Sequence, residues 1–271
     1  MEYAVHAARA AWLLATCAII LASDLPVVGL RYLRQVTLYG KLSSMRDKAP
    51  LFLDSFALPS RLVWTSYYAT GVVLNAACLW AGTSWAAALL QVHLLRRLWE
   101  CLKVTRFSDR HMHPLQAMAG VGFYTLLPPS LLLEHWARAG TEQGARPLSW
   151  RRDLHPPIPC MVFGILGFAV SSIAQHVAHS HLASLKRGAD GRDYQLPRHW
   201  LFTHVSSSPH YTFEVLLYAS LIFVDGGSPS AWLALCFVAS NLTVSALRTH
   251  QWYNTRFGAA FKAPRAIFPG I

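Results

Sequence analysis

Ionisable side chains stand inside an apolar segment near residue 95, where a membrane or a protein core makes charge costly. They are His93, Arg96, Arg97, Glu100 and Lys103. Charged groups in such segments usually pair with one another or line a functional cavity. The helical spacing predicts an ion pair between Glu100 and one arginine. Because adjacent helical residues point about 100° apart, we expect that the two arginines do not share a partner and that one meets an anionic ligand such as a nucleotide phosphate.

A second group of polar residues borders the last two apolar segments. Glu214 follows the stretch Ser206-Ser207-Ser208-Pro209-His210 by one helical turn, and Arg248, His250 and Tyr253 follow the last segment. A carboxylate and a helix face made of Arg, His and Tyr would be energetically unfavourable in contact with lipid. Together they predict a polar pocket that opens to the cytoplasm.

Histidines at 176, 179 and 181 invite comparison with the iron-binding boxes of membrane desaturases. The triplet His111-Met112-His113 is a weak second cluster, and no acidic ligand accompanies either one. The five cysteines lie in apolar segments without a CxxC pair, which argues against a zinc site and a disulfide framework. We expect no metal site, and interpret the histidines as interfacial or ligand-binding groups.

The composition is that of a polytopic membrane protein. Hydrophobic residues make up 54% and charged residues 14% of the 271 residues, against about 25% charged residues in soluble domains. These values exclude a disordered chain and a coiled coil. Apolar segments long enough to cross a bilayer predict an all-α bundle of about seven transmembrane helices, at roughly 8–30, 61–82, 84–104, 114–134, 155–183, 211–226 and 230–248.

Basic residues predict the orientation of these helices. The chain has 24 Lys and Arg against 13 Asp and Glu, and the basic residues collect in alternate loops and in the C-terminal tail. By the positive-inside rule the tail faces the cytoplasm. Since no basic stretch is interleaved with exposed aromatic residues, we expect membrane lipid as the partner and no nucleic acid. We find no internal repeat, and treat residues 1–271 as one domain.

Several short motifs resemble the steroid 5α-reductase family, and within it most closely the polyprenol reductase branch. They are Tyr39-Gly40-Lys41, the segment His93 to Cys101, Val205 to Tyr211, Ser245-Ala246 and His250 to Tyr253. The resemblance implies a seven-helix enzyme of the endoplasmic reticulum membrane. It also implies NADPH as the cofactor, bound from the cytoplasm by the C-terminal half at about 155–271, and a long-chain polyprenoid lipid as the substrate. No obligate protein partner is evident.

The resemblance also implies roles for individual residues. The cofactor-binding residues would be Arg97, Gln175, His179, Lys186, Tyr194, His210, Glu214 and Arg248. The steroid enzymes carry Asn and Asp in place of Gln175 and His179. They also carry a proton-donating Tyr where this chain has Leu94, which argues against a steroid substrate and leaves the proton donor unidentified.

The chemistry of the reaction narrows the substrate further. A hydride adds to a C=C bond only if the resulting carbanion is delocalised, as in an α,β-unsaturated aldehyde. We therefore predict NADPH-dependent reduction of the α-isoprene double bond in dolichol synthesis for N-glycosylation, from polyprenal to dolichal or, alternatively, from polyprenol to dolichol. His93, His250 and Tyr253 are the predicted catalytic residues. The competing interpretations are an isoprenylcysteine-type methyltransferase, a 3-oxo-steroid 5α-reductase, and a transporter or non-catalytic scaffold.

Overall fold

A bundle of long helices forms the protein. The structure, a computed structural model, describes residues 1–24, 42, 54–82, 84–140, 156–186 and 195–270. These residues contain seven α-helices: α1 Glu2–Asp24, α2 Ser60–Ala81, α3 Trp85–Trp99, α4 Pro114–Gly140, α5 Ile158–Ser184, α6 Pro209–Asp225 and α7 Pro229–Phe257. The predicted all-α class is confirmed.

Short elements connect these helices. A two-stranded antiparallel sheet pairs β1 (Leu58–Pro59) with β2 (His111–Met112), with Leu58 opposite Met112. Single 3-10 turns cover Asp54–Phe56 and Gly258–Ala260, and wider π-helical turns cover Glu100–Val104 and Leu201–Val205. The sheet ties the start of α2 to the start of α4.

Among the described residues, four segments are long and apolar enough to cross a membrane, judged by length and composition: Glu2–Leu21, Ser60–Ala81, Ile158–Ser184 and Pro229–Ala260. The chain is therefore a membrane protein. Of the other three helices, α3 has only 15 residues and two arginines, and α6 has 17 residues. That all seven helices cross the bilayer stays a prediction.

Three helix boundaries lie six residues or more from the predicted spans, and one of them is the end of α4, at Gly140 instead of residue 134. The first helix begins at Glu2 instead of residue 8, and residues 25–30 of that span lie outside the described residues. The last predicted span ends at about 248, whereas the helix α7 continues to Phe257 and carries His250 and Tyr253 as helical residues. Hydropathy falls near residue 248, but the first residue that favours a non-helical backbone is Gly258, whose φ is +53°.

The helices α5 and α6 approach so closely at Gly164 and Gly167 that a larger residue would not fit at either position. A Cβ atom at Gly164 would lie 2.8 Å from the carbonyl oxygen of Ser220, and one at Gly167 would lie 2.6 Å from the Ser220 hydroxyl. Small residues at such contacts are typical of membrane helix pairs. This close approach brings the C-terminal half of α5 against the start of α6.

The exposed face of α5 is a continuous apolar stripe. Its members recur at helical spacing: Ile158, Val162, Phe163, Ile165, Leu166, Val170, Ile173 and Val177. The opposite face is buried and carries Gly164, Phe168, Ser171, Gln175 and Ala178. One side of α5 is thus suited to lipid, and the other delivers a polar residue, Gln175, to the interior.

A partly buried set of ion pairs joins α1, α4 and α7 at one end of the bundle. Both Nε and Nη2 of Arg9 on α1 donate to the carboxylate of Glu134 on α4, at 2.8 and 2.9 Å. The hydroxyl of Ser230 on α7 donates to the same carboxylate at 2.7 Å. Nearby, Arg138 donates to the backbone oxygen and the carboxylate of Asp225 at the end of α6. These contacts fasten α1 and α7 to α4.

Candidate active site

A buried carboxylate, Glu100, organises a polar cluster between α3 and α5. The regular turns of α3 end at Trp99, and the wider turn that follows places Glu100 in the interior with 0% of its surface exposed. It accepts hydrogen bonds from Arg96 and Arg97, and His176 Nδ1 and His179 Nδ1 each lie 2.8 Å from one of its oxygens. Turns of this kind are frequent at functional sites.

Both adjacent arginines contact Glu100, so the expectation that they cannot share a partner is wrong. The reason is their reach: Arg97 is three and Arg96 four residues before Glu100, and each long side chain reaches one of its two carboxylate oxygens. His176 and His179, both on α5, also contact the Glu100 carboxylate. These two histidines therefore serve as partners of a carboxylate.

Gln175 connects this group to α6. Its side-chain oxygen accepts a hydrogen bond from Arg96 Nη2, and its amide nitrogen donates to the Glu214 carboxylate and, at 3.3 Å, to the backbone oxygen of His210. The other oxygen of Glu214 lies 3.3 Å from His93 Nε2 on α3. Glu214 is one turn into α6, as predicted, and the structure brings it together with Gln175 and His93.

Arg97 is held from both sides. On one side His179 Nδ1 lies 2.7 Å from its Nη1, next to Glu100. On the other side Nε and Nη2 of Arg97 donate to the hydroxyl oxygen of Tyr68 on α2, at 3.1 and 2.9 Å. The Tyr68 ring lies under the guanidinium carbon, 4.8 Å from the ring centroid. Within the described residues, Arg97 is therefore engaged by protein groups on three helices.

The charges of this cluster balance. The cluster contains two guanidinium groups, Arg96 and Arg97, and two carboxylates: Glu100, which both arginines contact, and Glu214, which is linked to Arg96 through Gln175. A balanced, hydrogen-bonded set is the form in which ions tolerate a low dielectric. A polyanionic ligand at this site would therefore need cations from outside the cluster.

Such cations lie where the ends of α3 and α5 meet. The Lys186 ammonium donates to the backbone oxygen of Arg106, and Arg106 Nη1 donates to the backbone oxygen of Lys186 at 3.2 Å. Burial lowers the pKa of Lys186, and the positive charge of Arg110 lowers it further. Neither Arg106 nor Lys186 has an acidic partner among the residues that the structure describes.

The remaining predicted site residues lie near the C-terminal tail. The His250 ring packs against Phe261 at 5.0 Å and hydrogen-bonds the backbone of Arg265. Tyr253 stacks on Phe261 at 5.2 Å, and Arg248 on the same helix is buried. The hydrogen bond and ring contact of His250 are thus with the tail and not with the Glu100 cluster. Tyr194 lies outside the described residues.

The tail connects this second group to the start of α6. The backbone nitrogen of Ser207 donates to the Arg265 oxygen at 2.9 Å, and the Thr212 hydroxyl donates to the Ile267 oxygen at 3.0 Å. His210, between these two anchors, has its ring 5.5 Å from that of His179. The two groups of predicted residues therefore flank the same end of α6.

Comparison with known proteins gives the family. The family model described as 3-oxo-5-alpha-steroid 4-dehydrogenase matches residues 114–271. The chain belongs to this family. The predicted family resemblance is thereby confirmed. The match of the 3-oxo-5-alpha-steroid 4-dehydrogenase family covers α4 to α7 and the tail, including Gln175, Glu214 and His250. A family of oxidoreductases does not support the methyltransferase interpretation.

Curated relatives of this family member are polyprenal reductases. The chain is 32% identical to polyprenal reductase 2 of Arabidopsis thaliana, over 68% of this chain and 59% of that protein. It is 26% identical to the polyprenal reductase of Homo sapiens, over 98% of this chain and 96% of that protein. It is 28% identical to the Xenopus tropicalis polyprenal reductase, over 86% of each. The chain thus spans less than two thirds of the plant relative and nearly all of the human one.

Three buried tyrosines near His93 were not among the site residues predicted from the sequence. Tyr68, Tyr124 and Tyr218 come from α2, α4 and α6 and lie near one another, with the Tyr68 and Tyr124 ring centroids 5.3 Å apart and Tyr218 beside Tyr124. Tyr218 in turn packs against the His93 ring at 6.1 Å. The only signal in the sequence was a pair of tyrosines, Tyr67 and Tyr68, inside an apolar span.

Proposed function

We propose that the protein reduces the α-isoprene double bond of polyprenal to give dolichal, with NADPH as the reductant, in dolichol synthesis for N-glycosylation. The observation that carries this proposal is the similarity to a polyprenal reductase over 98% of the chain. A buried, charge-balanced cluster within a membrane helix bundle supports it, since such groups in apolar surroundings are usually functional.

The donor groups of the site fit a dinucleotide. In the described part of the chain, Arg96 Nε, Ser208 Oγ and His250 Nδ1 are buried and have no hydrogen-bond partner. Buried polar atoms of this kind are costly unless a ligand or water satisfies them. Phosphate, hydroxyl and carboxamide groups would do so. When bound, NADPH supplies the hydride that adds to the β-carbon of the unsaturated aldehyde.

The roles of individual residues are part of this proposal. The proposed cofactor-binding residues are Arg97, Gln175, His179, Lys186, Tyr194, His210, Glu214 and Arg248. His93, beside Glu214, orients the head group of the substrate. His250 and Tyr253 act from the tail side of α6, and the isoprenoid chain lies in lipid or between helices, where apolar burial provides its affinity.

The placement in the membrane is proposed on the distribution of charge. Seven crossing helices with Arg106, Lys186 and the tail on one side put the basic residues in the cytoplasm. This side is where the soluble cofactor is available. The membrane would be that of the endoplasmic reticulum, and all of residues 1–271 would form a single domain.

The direct test uses purified protein with NADPH and no other enzyme. We expect conversion of polyprenal to dolichal, measured by mass spectrometry of the lipid, and no conversion of polyprenol. The aldehyde is required because the electrons of the C=C bond need the carbonyl as a sink. Efficient turnover of polyprenol with none of polyprenal would contradict the proposal. Thermal protection by S-adenosylmethionine and not by NADPH would favour the methyltransferase.

As the pH rises, we expect the affinity for NADPH to fall, and to do so at a pH below the ordinary pKa of lysine. The pKa of Lys186 is lowered by burial, so its ammonium loses its proton early and no longer attracts a phosphate. The KM for NADPH should rise by about tenfold to a hundredfold as the pH increases through this lowered pKa, the value of one charge-assisted contact. The variant Lys186→Arg keeps its charge and should show no such rise. An identical pH profile for both proteins would show that Lys186 does not bind the cofactor.

A further inference from the structure

The hydroxyl group of Tyr68 has an unused hydrogen. Tyr68 is buried with 3% of its surface exposed, and its oxygen accepts hydrogen bonds from both Nε and Nη2 of Arg97. A phenolic oxygen has two lone pairs, so these two donors fill its capacity as an acceptor. Its own hydrogen remains, and no described residue accepts it. A buried donor without an acceptor is unfavourable, which indicates that the acceptor arrives with a ligand.

Arg97 makes this hydroxyl a stronger donor. Hydrogen bonds accepted from a cation polarise the O–H bond, and successive bonds in a chain strengthen one another where water is excluded. The guanidinium group is itself fixed by Glu100 on the far side. The direction of the hydroxyl is therefore set by two helices, α2 and α3, which is the preorganisation that stabilisation of a developing negative charge requires.

Tyr68 also lies beside the polar cluster and not at a distance from it. One turn further along α2, a Cβ atom on Gly71 would lie 2.8 Å from Leu94 Cδ2 and 3.0 Å from the Tyr124 ring. Position 71 of α2 therefore packs against the residue that follows His93 on α3. Through Arg97, Tyr68 is one side chain away from Glu100, and through Tyr124 and Tyr218 it borders His93.

We propose that Tyr68 is a catalytic residue that donates its hydroxyl hydrogen bond to the aldehyde oxygen of the substrate. This inference rests on the proposed function. As the hydride bonds to the β-carbon, the C=C electron pair moves to join the α-carbon and the carbonyl carbon, and the carbonyl electron pair moves onto oxygen. Tyr68 stabilises that oxygen. A water molecule then gives a proton to the α-carbon, which restores the carbonyl group and leaves hydroxide to the solvent.

The first test measures binding without turnover. Polyprenal that carries an isotope label at its carbonyl carbon is bound to the protein in the absence of NADPH, and the carbonyl stretching frequency is recorded by infrared difference spectroscopy. We expect a lower frequency in the unaltered protein than in Tyr68→Phe, because a hydrogen bond weakens the C=O bond. Equal frequencies in the two proteins would overturn the proposal, whatever the stability of the variant.

The second test compares two neighbouring tyrosines. Tyr68→Phe keeps the ring and should lower kcat about a hundredfold or more, the effect of losing one oxyanion donor. Tyr67→Phe is the matched control, because the Tyr67 hydroxyl donates to the backbone oxygen of Gln116 at 2.9 Å and lies 3.2 Å from Met112 Sδ, away from Arg97. It should keep the kcat of the unaltered protein. A Tyr68→Phe variant with normal kcat and a raised KM for NADPH would show that Tyr68 only positions Arg97.

Failure of the inference and failure of the function give different results. If the unaltered protein reduces polyprenal and Tyr68→Phe does so equally well, only the role of Tyr68 is wrong. If the unaltered protein does not reduce polyprenal at all, the proposed function is wrong and the inference fails with it.

Discussion

Replacing Glu100 with alanine should destabilise the protein by about 3–5 kcal/mol, the usual cost of removing one partner of a buried ion pair. Glu100 is fully buried and accepts hydrogen bonds from Arg96 and Arg97. Without it two guanidinium groups keep their positive charge in the interior with one carboxylate, Glu214, left to balance them. We expect a large fall in the thermal unfolding midpoint in detergent and a low yield of folded protein.

Two variants make this measurement interpretable. Glu2→Ala removes an exposed carboxylate from the first residue of α1 and should leave the unfolding midpoint unchanged. Glu100→Gln keeps one acceptor oxygen for the arginines and should fall between the alanine variant and the unaltered protein. A Glu100→Ala protein that unfolds at the temperature of the unaltered one would show that the arginines find other partners.

Replacing Glu214 with glutamine should abolish most activity while the fold is kept. One Glu214 oxygen accepts from the Gln175 amide and the other lies 3.3 Å from His93 Nε2. Glutamine has the same shape, but its NH₂ group must face one of these partners, and the cluster loses one of its two negative charges. We expect kcat/KM for polyprenal to fall about a hundredfold or more, comparable to the loss of a preorganised electrostatic contact.

The control for Glu214 is a carboxylate of the same kind elsewhere in the bundle. Glu134 is buried and paired with Arg9 and Ser230. Glu134→Gln should lower stability and leave the kcat of the folded protein unchanged. If Glu214→Gln, at equal expression, behaves like Glu134→Gln and keeps its activity, then Glu214 is a structural ion-pair partner only.

Much of the fold can be predicted from the sequence because the hydropathy and length of a segment indicate whether it forms a membrane helix. Long apolar segments must form helices in a bilayer, and prolines and glycines at 209, 226, 229 and 258 mark where α6 and α7 begin and end. The helix α7 extends nine residues past the predicted apolar span because hydropathy reports burial in lipid. It does not report helix formation, which continues until Gly258 changes the backbone direction.

The site was harder to predict than the helices. Glu100, Arg97, Gln175 and Glu214 stand out because charge in an apolar segment is rare, and the structure brings them together. Their pairing could not be predicted, because it depends on a local π-helical turn and on how α5 rotates toward α3. Tyr68 gives no signal of its own, since a tyrosine in an apolar helix resembles ordinary core.

The apolar stripe of α5 sets the depth at which the chemistry would occur. From Ile158 to Val177 it rises about 28 Å at about 1.5 Å per residue, close to the thickness of a bilayer's hydrocarbon layer, about 30 Å. It ends beside His176, whose side chain is 37% exposed and contacts Glu100. The reacting end of a long isoprenoid could therefore meet the cluster at the lipid–water boundary while the rest of the molecule stays dissolved in the bilayer. Enzyme and substrate would then collide in two dimensions, and the quantity that governs the rate would be the mole fraction of polyprenal among the lipids, not its concentration in solution.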